Sequence, residues 1–325
     1  MNQPLTVNRE VKTIKKKSVW KIFWDQRYLM VLVLPVFIWM LIFNYIPMLG
    51  IVIAFQEYNP FLGPVQGFVN SPWVGLDNFI EAFSDRFFLN SLWNTLYYSV
   101  LILIVGFPVP IIFAILLNEI GRTKFKKFVQ TVSYLPHFIS WVFVIGFIQL
   151  IFSVDNGIVN DLLLKFDFIE KPIPFFAKQE FIPPLVILSQ VWKSFGWNSI
   201  IYIAAITNID PTLYEAAIVD GAKRFARIWY ITLPMIKPTI VILLIFTIGN
   251  LIGSNFGLFE QMYLLTNPLI QDVTEIIDIY TFRMGITLNR FSYATAIGLF
   301  RSVVAVILLT GANFILKRLT GESLY

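Results

Sequence analysis

Six stretches of this chain, residues 28–55, 92–117, 128–152, 184–207, 239–265 and 292–316, are each long and apolar enough to read as membrane spans. A helix needs about 20 mostly apolar residues to cross the hydrocarbon core of a bilayer. In lipid the backbone must satisfy its own polar groups, so such runs fold as helices. The predicted fold class is an all-α integral membrane protein with six transmembrane helices. Pro35 and Pro47 in the first stretch, and Pro108 and Pro110 in the second, mark expected bends. The first and fifth stretches exceed what the bilayer requires, so a tilt, a kink or a part outside the lipid is expected there.

Composition agrees. Apolar residues make up 57% of the 325 residues and charged ones 14%, against about 25% charged in soluble domains. Too few polar residues remain to coat a soluble enzyme, and a disordered chain is excluded for the same reason. The absence of cysteine removes thiolate nucleophiles, iron–sulfur clusters and zinc–thiolate sites. His137 is the only histidine, so it is the one base a Ser-His-Asp triad has available. No segment reads G-x-x-x-x-G-K-[ST], so the chain is not expected to hold nucleotide phosphates itself. No catalytic residues and no metal ligands are expected.

Lysine and arginine are sorted by side. The tail 1–27, the 2–3 loop, the 4–5 loop and the C-terminal tail together carry 17, and the three opposite loops carry six. Basic residues stay cytoplasmic, so both termini are expected there, and the net charge of +5 needs no nucleic acid to explain it. The basic tail reads as an anchor beside an uncleaved span, or as a contact with acidic membrane lipid. The predicted organisation is a tail 1–27, one transmembrane domain 28–316 and a tail 317–325.

One cytoplasmic loop, 208–238, has a pattern of its own. Asp210 before Pro211 is a helix start, with a capping side chain and then proline at the first helical position. A short helix over 212–219 then meets Gly221, which tolerates a left-handed cap. A second short helix is expected over 223–231, ended by Leu233-Pro234. Ala216, Ala217 and Gly221 would let a partner's backbone approach closely; a loop that merely connects two spans is the plainer reading.

The residues of this loop are also familiar. Glu215-Ala216-Ala217, three residues, Gly221, nine residues, then Ile231-Thr232-Leu233-Pro234 resembles the EAA signature of importer-type ATP-binding-cassette permeases. The wider phrase 215–222, with Asp220, is similar to the carbohydrate-uptake branch that includes the maltose permeases. Residues 45–56, 128–140 and 293–300 resemble a subgroup of oligosaccharide and polysaccharide permeases. The resemblance implies that Glu215, Ala216, Ala217, Asp220, Gly221, Leu233 and Pro234 form a coupling element seated in a separate ATPase. It implies a second, related permease, two ATPase subunits that hold the ATP and Mg, and an extracytoplasmic solute-binding protein. This chain would then bind no cofactor, be no enzyme, and sit in a bacterial inner membrane. Lys223, Arg224 and Arg227 either meet acidic groups on the ATPase or only obey the positive-inside rule.

Ionisable residues inside spans are costly and face a cavity or a partner. Lys193, Glu260 and Arg301 are of this kind. They line the solute path, or they form a structural pair of Glu260 with Arg301 or with Lys193. On a helix Gln190, Lys193, Trp197 and Ile201 share one face by spacing. Aromatic faces beside amide and charged donors suit sugar rings, so Trp197, expected to stack with Lys193, and Asn198 are candidates. Trp192 reads equally as a belt residue at the membrane surface. Gly249, Gly253 and Gly257 read as close helix packing, or as a loosened helix that exposes Asn250 and Asn255. Glu260 and Gln261 follow toward the outer end. Two cations against one anion hint at an anionic cargo such as a uronic-acid oligosaccharide. For His137 a structural hydrogen bond is expected rather than proton chemistry.

The function these features support is import of oligosaccharides or polysaccharide fragments, driven by ATP and dependent on a binding protein. The outer loops, among them 56–91 and 153–183, hold 12 acidic and six basic residues in all and would meet that protein. The rivals are an ion-coupled secondary transporter, a membrane enzyme, and a sensory or assembly partner with the importer fold.

Overall fold

A proline inside a helix needs room, because the ring meets the carbonyl four residues back. The computed structural model, which describes residues 24, 26–121, 123–253 and 256–324, meets this need repeatedly with wide turns. The chain divides into two compact units, Met1–Val52 and Ile53–Tyr325. In the first, helix α1 (Arg27–Met40) runs through Pro35 and continues into a π turn over Leu41–Tyr45. Pro47 follows directly, and the residue four back from it, Phe43, lies in that wide turn.

The second unit is all helical among the described residues, apart from an isolated bridge between Gln56 and Trp73. Helices α2 (Arg86–Gly106) and α3 (Pro108–Asn118) form one 33-residue rod. Its start lies outside the apolar stretch because the Asp85 carboxylate accepts from the Phe87 N–H at 2.8 Å and caps the helix there.

The third expected span is not a straight helix. Helix α4 (Thr123–Tyr134) passes into a 3₁₀ turn, Leu135–Phe138, and α5 (Trp141–Ile151) leaves it at 95°. Pro136 restricts the turn, and the Ser140 hydroxyl accepts from Val142 N–H to start α5 afresh. Helix α6 (Ile182–Thr207) has 26 residues, enough to cross, but its middle carries Gln190, Lys193, Ser194 and Asn198 and is too polar to pass by composition. Among the described residues, four helices are therefore long and apolar enough to span, or five with the bent pair. The count of six is not reached on that measure.

Helix α7 (Pro211–Val219) fills the loop after α6. The second short helix expected there does not stop at Leu233-Pro234. It runs on from Arg224 through a π turn, Ile228–Thr232, into α8 (Leu233–Gly249). The reason matches Pro47: Tyr230, four residues before Pro234, lies in the wide turn. The fifth apolar stretch is in turn split. Helix α8 ends at Gly249, the chain bends through 250–253, and α9 (Phe256–Leu265) follows.

After helix α10 (Ile277–Phe282), the last helix α11 (Phe291–Thr320) spans 30 residues. Gly321, with φ +78°, ends it, and Lys237 Nζ donates to Thr320 O at 3.0 Å. Gly249 is required by packing: a Cβ there would meet Leu309 Cβ at 2.9 Å, so α8 lies directly against α11. The core that positions the site joins α2, α5, α6 and α9 through Tyr98, Trp141, Val186, Leu258 and Met262.

Candidate functional site

The knob after α6 is built locally. Asp210 Oδ1 accepts from the Thr212 N–H at 3.0 Å, and this backbone bond holds the exposed carboxyl below the usual carboxylate range. A group lowered in the folded state stabilises above its unfolded pKa and loses that effect as pH falls. The cap is therefore complete at neutral pH. At the other end Gly221, φ +78°, closes a Schellman motif: Gly221 N–H donates to Ile218 O at 3.0 Å and Ala222 N–H to Ala217 O at 2.8 Å. Glu215, Ala216 and Asp220 are exposed on this short helix, and Ala217 is half-buried. Tyr214 Oη and Thr232 Oγ1, 2.9 Å apart, tie the knob to the helix that becomes α8. Val219 and Phe225 are 88% and 86% exposed, so the knob offers apolar side chains beyond its own core. Leu233 and Pro234 lie past it, in the rod.

Inside the apolar region α6 carries two different faces. Gln190, Ser194, Asn198 and Ile201 line a cavity of about 390 Å³ closed by α2, α3 and α8, with Thr247 across from them. Gln190 Oε1 is buried there without a hydrogen-bond partner among the described residues. The other face is turned to the break in the third span. Lys193 Nζ donates to Pro136 O at 3.3 Å, His137 O at 2.7 Å and Ile139 O at 2.5 Å. Pro136 O also accepts from the Ile139 N–H at 3.2 Å, so the lysine chiefly serves His137 O and Ile139 O, carbonyls at a helix end where the dipole favours a cation. Trp197 stacks on the His137 ring, centroids 4.5 Å apart and planes 2° from parallel. The face expected from spacing thus divides: Gln190 and Ile201 go to the cavity, Lys193 and Trp197 to the break. Trp197 is stacked with His137 and not with Lys193, which lies 5.5 Å from the Trp141 ring.

The remaining candidates are dispersed. Gln261 is fully buried and donates to Val186 O at 2.9 Å and Ser189 Oγ at 2.7 Å, joining α9 to α6. Glu260 beside it is exposed. Asn250 is exposed in the bend and donates to Phe246 O at 3.0 Å; Asn255 lies outside the described residues. Arg301 is buried and pairs with Asp278 on α10 at 2.7 Å, not with Glu260, while its Nε donates to Ile252 O at 3.0 Å. Among the described residues no cluster of three or more His, Asp or Glu is placed to hold a metal.

Sequence reasoning missed Ser194, Thr247 and Asp278. Ser194 lies four residues from both Gln190 and Asn198, so helical spacing alone would have found it. Asp278 is read as part of a loop until the fold brings it to Arg301. The end of the bundle at α10 holds a further network that spacing does not announce: the Tyr280 hydroxyl donates to Asp85 and meets Tyr293 Oη at 2.9 Å, and Arg290 pairs with Glu81 at 2.5 Å.

A polytopic helical chain with a capped knob between two long helices and a polar cavity inside its apolar region is a solute permease in form. Residues 82–321 match the family described as the binding-protein-dependent transport system inner membrane component, and the chain belongs to that family. It is 43% identical to Protein LplB of Bacillus subtilis (strain 168), over 92% of this chain and 91% of that one. It is 46% identical to the polygalacturonan/rhamnogalacturonan transport system permease protein YteP of the same organism, over 93% and 91%. Its fold superposes with TM-score 0.84 and 38% identity on a bacterial ABC transporter involved in the import of the acidic polysaccharide alginate, covering 94% of this chain and 100% of that one. The chain is a membrane component of an ATP-binding-cassette importer, which sets aside the ion-coupled alternative.

Proposed function

We propose that this subunit admits oligosaccharides or polysaccharide fragments, uronic-acid chains included, past the polar face of α6. The cavity lined by Gln190, Ser194, Asn198 and Thr247 carries the reading. It sets amide and hydroxyl groups against apolar walls inside a membrane helix bundle, where an unpaired amide oxygen is otherwise costly. The cargoes in the names of YteP and of the alginate transporter, both acidic polysaccharides, support the charge class. Lys193 and Trp197 shape the wall behind this face, Asn250, Asn255, Glu260 and Gln261 belong to the outer half of the route, and Arg301 stands at a second cavity.

In this proposal the chain lies in a bacterial inner membrane with both termini cytoplasmic. It pairs with one related permease. Two ATPase subunits bind ATP and Mg, and an extracytoplasmic binding protein delivers the cargo, as the solved alginate transporter in complex with its periplasmic protein does. The knob, with Glu215, Ala216, Ala217, Asp220 and Gly221, seats in the ATPase, and the continuous rod from Arg224 to Gly249 carries its movement into the membrane.

The test is ATP turnover by the whole complex, stimulated by binding protein loaded with trigalacturonate. Gln190→Ala and Asn198→Ala are expected to leave assembly intact and to lower stimulation about tenfold, the worth of one or two hydrogen bonds. Unchanged stimulation would move the binding site to the partner permease. Gly221→Val acts elsewhere. A β-branched residue at φ +78° costs about 1–2 kcal/mol and disturbs the Schellman turn. Fewer ATPase subunits are then expected to co-purify, with insertion unaffected; full co-purification and normal transport would remove the knob from coupling.

A further inference from the structure

A second cavity, of about 450 Å³, opens between α9, α10 and α11. Its walls combine Phe259 and Phe282, edge to face at 5.8 Å, with the threonines Thr281 and Thr295 and the ion pair Arg301–Asp278. The size falls within the range of ligand pockets, about 300–1,000 Å³. Aromatic faces accept the C–H face of a sugar ring, and hydroxyls accept its edges. Both threonine hydroxyls donate to their own helix, Thr281 to Ile277 O at 2.6 Å and Thr295 to Phe291 O at 2.7 Å, which leaves their lone pairs directed at acceptance from a ligand hydroxyl.

The ion pair gives the cavity its chemistry. The Arg301 side chain is 9% exposed and that of Asp278 15%, so the carboxylate is the more accessible partner. A buried guanidinium must keep an anion, because losing it leaves an uncompensated charge in an apolar setting. A carboxylate brought in by cargo can take that place while Asp278, the more exposed partner, turns to the open side of the cavity, whereas a neutral sugar offers Arg301 no anion. Lys193 offers no such exchange, since its ammonium is held by three carbonyls of its own chain.

We propose that this cavity is a uronate subsite in which a cargo carboxylate replaces Asp278 on Arg301. The exchange frees the α10 end of the pair, and α10 also carries Tyr280, bonded to Asp85 and Tyr293. Acidic cargo therefore loosens one of the ties between α10 and the last helix, and the subsite reads charge at the outer end of the route. This inference rests on the saccharide reading above, and its failure is separable from the failure of that reading.

Binding of trigalacturonate, and of the neutral trisaccharide made from it by carboxyl reduction, is measured calorimetrically on the purified permease–ATPase complex without binding protein. The unmodified complex is expected to prefer the acid about tenfold or more, the effect of one charge-assisted hydrogen bond. Arg301→Gln brings the ratio near one. Asp278→Asn removes the competing charge, keeps an amide oxygen for Arg301, and raises the ratio. If Arg301→Gln fails to assemble, Asp278→Asn decides. An unchanged ratio in Asp278→Asn overturns the subsite. Equal binding of both sugars by the unmodified complex overturns the subsite and leaves saccharide import standing; binding of neither overturns both.

Discussion

Replacing Lys193 by methionine is expected to reduce the amount of folded complex, with a loss of about 2–4 kcal/mol, before any question of transport arises. The ammonium is the partner of His137 O and Ile139 O at the break between the two halves of the third span, and methionine satisfies neither. Those carbonyls then face an apolar interior in which an unmet polar group is expensive. The expected observation is a lowered melting temperature of the detergent-purified complex, with normal cargo stimulation in the fraction that assembles. If instead Lys193→Met melted as the unmodified complex does and lost only stimulation, the lysine would be a cargo contact and not a bolt.

Gly196→Ala is expected to be worse than its single added methyl suggests. A Cβ at this position would sit 1.9 Å from the Ser133 carbonyl oxygen, a backbone atom that no rotamer change can move. Helices α4 and α6 must separate, and overpacking of this kind costs about 3 kcal/mol. Separation would also lengthen the Lys193 bonds, because the same α6 turns carry both contacts. Gly146→Ala is the control: nothing lies within 4 Å of its added Cβ, and alanine is the better helix former by about 1 kcal/mol. Assembly should therefore fail or melt early in the first variant and be unchanged in the second. Equal behaviour of the two would mean that the close crossing of α4 and α6 is not needed.

What was legible in the chain follows the physics of each signal. Apolar run length gives the helices of the first, second and sixth stretches, since lipid leaves no other way to satisfy a backbone. The first helix of the knob was legible to the residue, because Asp210, Pro211 and Gly221 act through local geometry: a cap, a fixed φ and a left-handed turn. The third and fifth stretches misled. There hydropathy continues across a break that Pro136, Ser140 and the bend after Gly249 impose, and apolarity says nothing about direction. Proline misled in the other direction at Pro234, where a π turn lets the helix pass. Lys193 was legible as a charge that would need polar partners, and it has them. Its partners were beyond reach, because backbone carbonyls carry no sequence signal, and the distant Asp278 was hidden from Arg301 in the same way.

The central claim is that this chain works as one membrane component of a larger ATP-driven importer. The direct measurement is the mass of the intact complex, purified through a tag on this chain after co-expression with its neighbouring genes. The account predicts one copy of this chain, one related permease and two ATPase subunits. A chain that purifies alone, or as a simple homodimer without ATPase, would contradict it.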